Sequence, residues 1–249
     1  MMPDTADLPE PVRLALSELI VGLERGLGPR LRSVLLFGSG AEGRLRPTSD
    51  VNVLVLLREF HGADADAIRG PVTLASAAVR VRAMFVLEEE LAAAAEAFAV
   101  KFGDIHARHR VLFGTDPLAA LTPSPAALKR RLQQVLLNLR LRLRERLVVD
   151  GGQDDVLIAD LAENSGPIRV AAASLLRLRG DAAPAPREAL ERLAASLPGG
   201  PWNEVLAALV SVRQGAGLPP GAAGPMTERV LSLLQAMDRV LAATGARTT

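Results

Sequence analysis

The sequence predicts an α+β chain. An N-terminal α/β domain with a small mixed sheet is expected over residues 1–120, and an all-α helical bundle over residues 121–249. Two observations carry this. Short apolar, β-branched runs bounded by turn residues lie in the first half, at Ser33–Phe37, Val51–Leu57 and Val79–Val86. After Pro117 the chain turns to long segments rich in Ala, Leu and Arg, which are easily held in a helix, interrupted by Gly and Pro. A length of 249 residues suits two domains.

Each element follows from local pattern. Val12, Leu16, Ile20, Leu23 and Leu27 recur at three- or four-residue steps, so residues 8–27 read as an amphipathic helix closed by Gly28-Pro29. Ser33–Phe37 reads as a buried strand entering a tight turn at Gly38-Ser39-Gly40. A polar stretch, Ala41–Ser49, leads into a second strand, Val51–Leu57. Residues 63–78 read as a short helix broken at Gly70-Pro71. The alternation Val79, Arg80, Val81, Arg82 suits a third strand with one wet face. Glu88–Phe98 reads as a helix, and Val111–Phe113 before Gly114 as an edge strand. Pro123 and Pro125 mark a linker, and helices are expected near 126–148, 153–178, 186–197, 203–213 and 226–243. Leu139–Arg144 alternates like a strand, but Leu132, Leu136, Leu139, Leu143 and Leu147 fall at helical steps, and length decides for a helix.

Composition narrows the function. Net charge is +1, so no global field announces nucleic acid or an acidic surface, and 3% aromatic content gives no stacking platform. Basic residues are nearly all Arg; the lysines are Lys101 and Lys129. The absence of cysteine excludes disulfides, thiolate metal sites and cysteine nucleophiles. No apolar run approaches the roughly 20 residues needed to span a bilayer, and the N-terminus lacks the pattern of a secretory signal. The expected location is the cytoplasm.

The chemistry concentrates between Phe37 and Val55. A strand ends in Gly38-Ser39, a spacer follows, and a second strand opens with Ser49-Asp50-Val51-Asn52. Gly38 lets backbone approach a phosphate closely, Ser39 can donate its hydroxyl to a phosphate oxygen, and a helix start after it would suit an anion. Asp50 and Asn52 share a strand face because side chains alternate. Two carboxylates there would clamp Mg²⁺ against a triphosphate.

Strand, Gly-Ser, spacer and Ser-Asp together resemble the nucleotidyltransferase superfamily, over Ser33–Leu57 closely and through Val79–Gly114 loosely. The resemblance implies an α/β domain with a helical bundle behind it, a nucleoside triphosphate and Mg²⁺ as ligands, and three carboxylates. Carried onto this chain, Gly38 and Ser39 would bind nucleotide, and Asp50 and the residue at 52 would hold metal, Asp50 also serving catalysis. The departures are plain. Position 52 is Asn, which keeps an oxygen and loses the charge. The strand expected to bear the third acid, Val79–Phe85, offers Arg80 and Arg82 instead. Glu42 stands where the family often has a basic residue. Arg80 or Arg82 could replace metal charge near the phosphates, provided either guanidinium faces the site; Arg82 is taken as a nucleotide ligand.

The expected function is therefore a nucleotidyltransferase-type protein with a degraded metal site, binding nucleotide or a regulatory partner and transferring weakly or not at all. The alternatives are an active Mg²⁺-dependent enzyme moving a nucleoside monophosphate to an unknown acceptor, and an antitoxin-like protein-interaction module, which could form a dimer. The ligand is expected in a cleft between the two domains. Other features read as structural: Glu88-Glu89-Glu90 as a helix start, His106 and His109 as a packed or solvated pair on one helix, Asp64 and Asp66 as loop acids, His61 as a loop residue, Trp202 as a helix anchor, and the seven basic residues of Lys129–Arg146 as a solvated face whose stems cover apolar surface.

Overall fold

The computed structural model describes residues 5–46, 49–181 and 185–244. The chain divides into two compact units, Met1–Pro123 and Ser124–Thr249.

The first unit is built on helix α1 (Glu10–Leu27), strands β1 (Leu31–Phe37) and β2 (Val51–Leu57), helix α2 (Gly62–Val79), strand β3 (Val81–Leu87), helices α3 (Leu91–Ala97) and α4 (Ala99–Ala107), and strand β4 (His109–Gly114). The sheet order is β3-β2-β1-β4. β1 pairs antiparallel with β2 and β4, whereas β2 and β3 are parallel. A parallel pair needs a long crossover, and α2 supplies it. β2 is central and covered on both faces, which explains its near-continuous apolar run.

Strand parity sorts the core into two layers. Val34, Leu36, Val53 and Val55 face α1 and α2, meeting Leu16, Leu19, Leu23 and Ile68. Leu35, Phe37, Leu54 and Leu56 face the other side, with Leu91 of α3 and Phe102 and Ile105 of α4. Asn52 and Arg82 have the parity of this second face.

Three expectations are corrected. Helix α2 does not break at Gly70-Pro71; it runs through both. Pro71 is seated on α1 at Gly22, where an added Cβ would fall 2.5 Å from the Pro71 Cβ. Tertiary packing of a proline into a glycine notch thus outweighs the lost helical hydrogen bond. The helix then continues to Val79, so Val79 and Arg80 do not belong to the third strand. Arg80 ends the helix in the left-handed conformation, φ 58° and ψ 42°, donating its N–H back to the Ser76 carbonyl. Lastly, Glu88–Phe98 is a 3-10 turn (Glu88–Glu90) followed by α3, and α4 is a separate helix after it.

The second unit comprises α5 (Pro125–Val149), α6 (Asp154–Leu178), α7 (Pro186–Ala194), α8 (Asn203–Arg213) and α9 (Ala223–Ala243). Ser124 caps α5 by accepting from the Ala127 N–H at 3.2 Å. The ambiguous leucine run is helical, with Leu132, Leu136, Leu139 and Leu143 all buried. α6 is the hub, packed against α5, α7, α8 and α9. Trp202 caps α8, buried, its indole N–H reaching the Leu197 carbonyl at 3.4 Å. Among the described residues no helix is long and apolar enough to cross a membrane.

Candidate functional site

The turn after β1 is held from outside. The Gly38 N–H donates to the Arg108 carbonyl at 3.0 Å, and the Arg44 N–H to the Ser39 carbonyl at 2.9 Å. Arg110 Nε donates to the Ala41 carbonyl, while its two terminal nitrogens each meet an Asp7 carboxylate oxygen at 2.6 Å. These bonds hold the Asp7 carboxyl below its ordinary range, against a smaller opposing effect of burial. Residues 38–43 form turns rather than a helix start. The expected helix dipole is absent from this stretch, and any anion must be met by backbone and side-chain donors of the turn itself.

Glu42 has a structural partner. Arg108 Nη1 lies 2.7 Å from Glu42 and Nη2 2.6 Å from Asp104. Burial works against the Arg108 charge, but bonds to Asp104 and Glu42 outweigh it and raise its pKa.

Gly38 has φ 72°, and a Cβ there would lie 3.9 Å from Asn52 Nδ2. The Asn52 amide is thus beside the turn. Across the sheet, Phe37 pairs with Asn52, and Asn52 with Arg82. The Asn52 Nδ2 donates to the Asp50 carbonyl at 3.4 Å. Among the described residues the Ser39 N–H and hydroxyl make no hydrogen bond.

The Asp50 carboxylate is engaged. Arg80 Nε donates to Asp50 Oδ1 at 2.9 Å, and Arg82 Nε stands 3.9 Å from the same oxygen. Both guanidinium groups therefore lie at the Asp50 side chain. The structure brings Gly38, Asp50, Asn52 and Arg82 together, with Ser39 next to Gly38 in the turn. Sequence pattern gave no sign of how Arg80 reaches Asp50, since the left-handed cap that aims it is usually marked by Gly. Lys101 was also missed: its Nζ lies 6.0 Å from the Phe37 ring centroid.

The remaining candidates have local partners. Asp64 is buried, accepts from the His61 N–H at 2.8 Å and pairs with Arg30 at 2.8 Å. His106 and His109 do not share a helix: His109 opens β4. Its Nδ1 is 3.0 Å from the Ile105 carbonyl and its Nε2 3.2 Å from Asp116. Glu88 pairs with Arg32 at 2.9 Å. Within the second unit, Arg140 pairs with Asp238 at 2.9 Å and Arg146 with Asp150 at 3.1 Å. Among the described residues no group of three or more His, Asp or Glu side chains is placed to hold a metal ion.

No family model matches the sequence, and no curated protein matches it. Solved structures do. The spectinomycin adenyltransferase AAD(9) from Enterococcus faecialis, solved with ATP and spectinomycin, aligns over 89% of this chain and 98% of its own, at 14% identity and a TM-score of 0.62. A toxin-antitoxin structure with AMP-PNP aligns over 53% of this chain and 94% of its own, at 18% identity and a TM-score of 0.28. The likeness to the adenyltransferase is one of fold.

Proposed function

We propose that this protein binds a nucleoside triphosphate at the Gly38-Ser39 turn, with arginines rather than a divalent cation meeting its phosphates, and that it transfers nucleotides weakly or not at all. The observation that carries this is the double engagement of Asp50 by Arg80, at 2.9 Å, and Arg82, at 3.9 Å.

Mg²⁺ asks for hard oxygen ligands, normally one or two carboxylates besides substrate phosphates and water. Here the one acid of the pattern is already neutralised, Asn52 is uncharged, and two guanidinium groups would repel a dication at the same oxygen. These residues do not fit the metal. They do fit an anion, because a guanidinium presents several donors matched to phosphate oxygens. Without metal charge the transition state for transfer loses several kcal/mol of stabilisation, about a thousandfold or more in rate. The neighbouring fold solved with ATP supports a nucleotide as the anion.

Thermal unfolding in ATP, GTP, CTP or UTP, with Mg²⁺ or with EDTA, tests the reading, because a ligand of the native state raises the melting temperature. The expected result is a shift that persists in EDTA, survives Asp50→Ala and disappears in Arg82→Ala. A shift that needs Mg²⁺ and vanishes in Asp50→Ala would instead reveal a working metal site and an active transferase. No shift with any nucleotide would leave the interaction module.

A further inference from the structure

Lys101 is one of two lysines in the chain. It stands on α4, in the layer that covers the Phe37 face of the sheet. Its Nζ lies over the Phe37 ring, 6.0 Å from the centroid. Phe37 directly precedes Gly38 and pairs with Asn52, which pairs with Arg82. Neighbouring strands of a sheet lie about 4.7–4.9 Å apart. Phe37, Asn52 and Arg82 therefore form one row on one face, and Lys101 sits above its first member.

The chemistry of Lys101 is unusual for a surface lysine. Among the described residues it has no carboxylate partner. The arginines around the turn do have one: Arg80 on Asp50, Arg108 on Glu42 and Arg110 on Asp7. Burial pushes the Lys101 pKa below the ordinary lysine value. An aromatic face attracts such a cation but leaves its charge uncancelled. At Asp50 two guanidinium groups, Arg80 and Arg82, meet a single carboxylate, and Lys101 adds an unpaired charge over Phe37, so positive charge is in excess. That excess matches a chain of phosphates better than a base or a sugar.

We infer that Lys101 is a third cation of the same site, and that the site grips the polyphosphate of its ligand, so that inorganic tripolyphosphate binds there without a nucleoside. This rests on the nucleotide-binding reading above and adds which part of the nucleotide is held and by what.

Two lysines make the test direct. In ¹⁵N-labelled protein each lysine gives one side-chain ammonium signal, and Lys101→Arg identifies which is Lys101. Tripolyphosphate is titrated in EDTA. The Lys101 signal is expected to move on binding while that of Lys129 stays. Calorimetry should show tripolyphosphate affinity falling about tenfold or more in Lys101→Gln, the loss for one charge-assisted hydrogen bond. Lys101→Arg should restore most of it, and Lys129→Gln should change nothing. If wild type binds tripolyphosphate while the Lys101 signal stays still and Lys101→Gln binds equally well, Lys101 is not part of the site and the nucleotide reading stands. If wild type binds ATP but not tripolyphosphate, the grip on the polyphosphate is wrong. If wild type binds neither, this inference and the nucleotide reading fall together.

Discussion

Arg80 reaches the Asp50 carboxylate, 2.9 Å away, from a left-handed backbone at the end of α2. A non-glycine residue in that conformation costs about 1–2 kcal/mol, whereas an exposed ion pair returns at most about 1 kcal/mol. Arg80→Gly should therefore leave stability unchanged or raise it by about 1 kcal/mol, measured by urea unfolding. The same variant should weaken nucleotide binding. Clear destabilisation would mean that the Arg80–Asp50 bond holds the fold together.

Asp50 competes with phosphate for the same two arginines. Asp50→Asn keeps the shape and removes the competitor, so ATP should bind as well or up to about fivefold tighter, the equivalent of one exposed ion pair. Fluorescence of a labelled nucleotide would read this. A tenfold loss would identify Asp50 as a ligand rather than a counter-ion.

Much of this was legible in sequence, and what was not has physical causes. β1, β2 and the Gly38-Ser39 turn announce themselves because apolar runs end at residues with special backbone freedom. α5–α9 follow from leucine spacing and Gly/Pro breaks. Asp50 and Asn52 could be singled out as candidates because a short motif is local. Gly70-Pro71 misled, because the Gly22 notch that accommodates Pro71 lies 49 positions earlier in the chain. Arg80 was misplaced because its neighbours Val79 and Val81 imitate strand alternation, and nothing local says that the helix continues to Val79. Lys101 was invisible as a site residue: only the packing of α4 on the sheet sets it over Phe37.

Two glycines with left-handed backbones should respond differently to alanine. At Gly38 (φ 72°) the nearest atom to an added Cβ is 3.9 Å away, so Gly38→Ala should cost only the conformational 1–2 kcal/mol or about that. At Gly114 (φ 77°) the same Cβ would collide with the Arg32 carbonyl oxygen, a backbone atom in the adjoining strand. Gly114→Ala should be the more destabilising by roughly 1–3 kcal/mol, the usual range for overpacking. Equal melting temperatures for the two variants would contradict the β1–β4 register.

The Asp7–Arg110 pair makes stability fall in acid. Its bonds to Arg110 hold the Asp7 carboxyl below its unfolded value, so the stabilisation is complete above the unfolded pKa and is lost as pH falls through the lower, folded one. Asp7 is 44% exposed, which limits the contribution to under about 1 kcal/mol. Asp7→Asn should lower the melting temperature at pH 7, and its difference from wild type should shrink as pH falls, because wild type then loses the same interaction. A difference from wild type that is absent at pH 7, or that does not shrink as pH falls, would remove this pair from the account.

The central claim is that arginine, not a metal, supplies the positive charge at Asp50, and calorimetric titration of ATP into the wild-type chain tests it most directly. The account predicts binding in EDTA at least as tight as in Mg²⁺, since free ATP presents its full charge to Arg80 and Arg82. Binding abolished by EDTA, or strengthened more than about tenfold by Mg²⁺, would contradict it, and would mean that Asp50 releases its arginines to hold a metal ion.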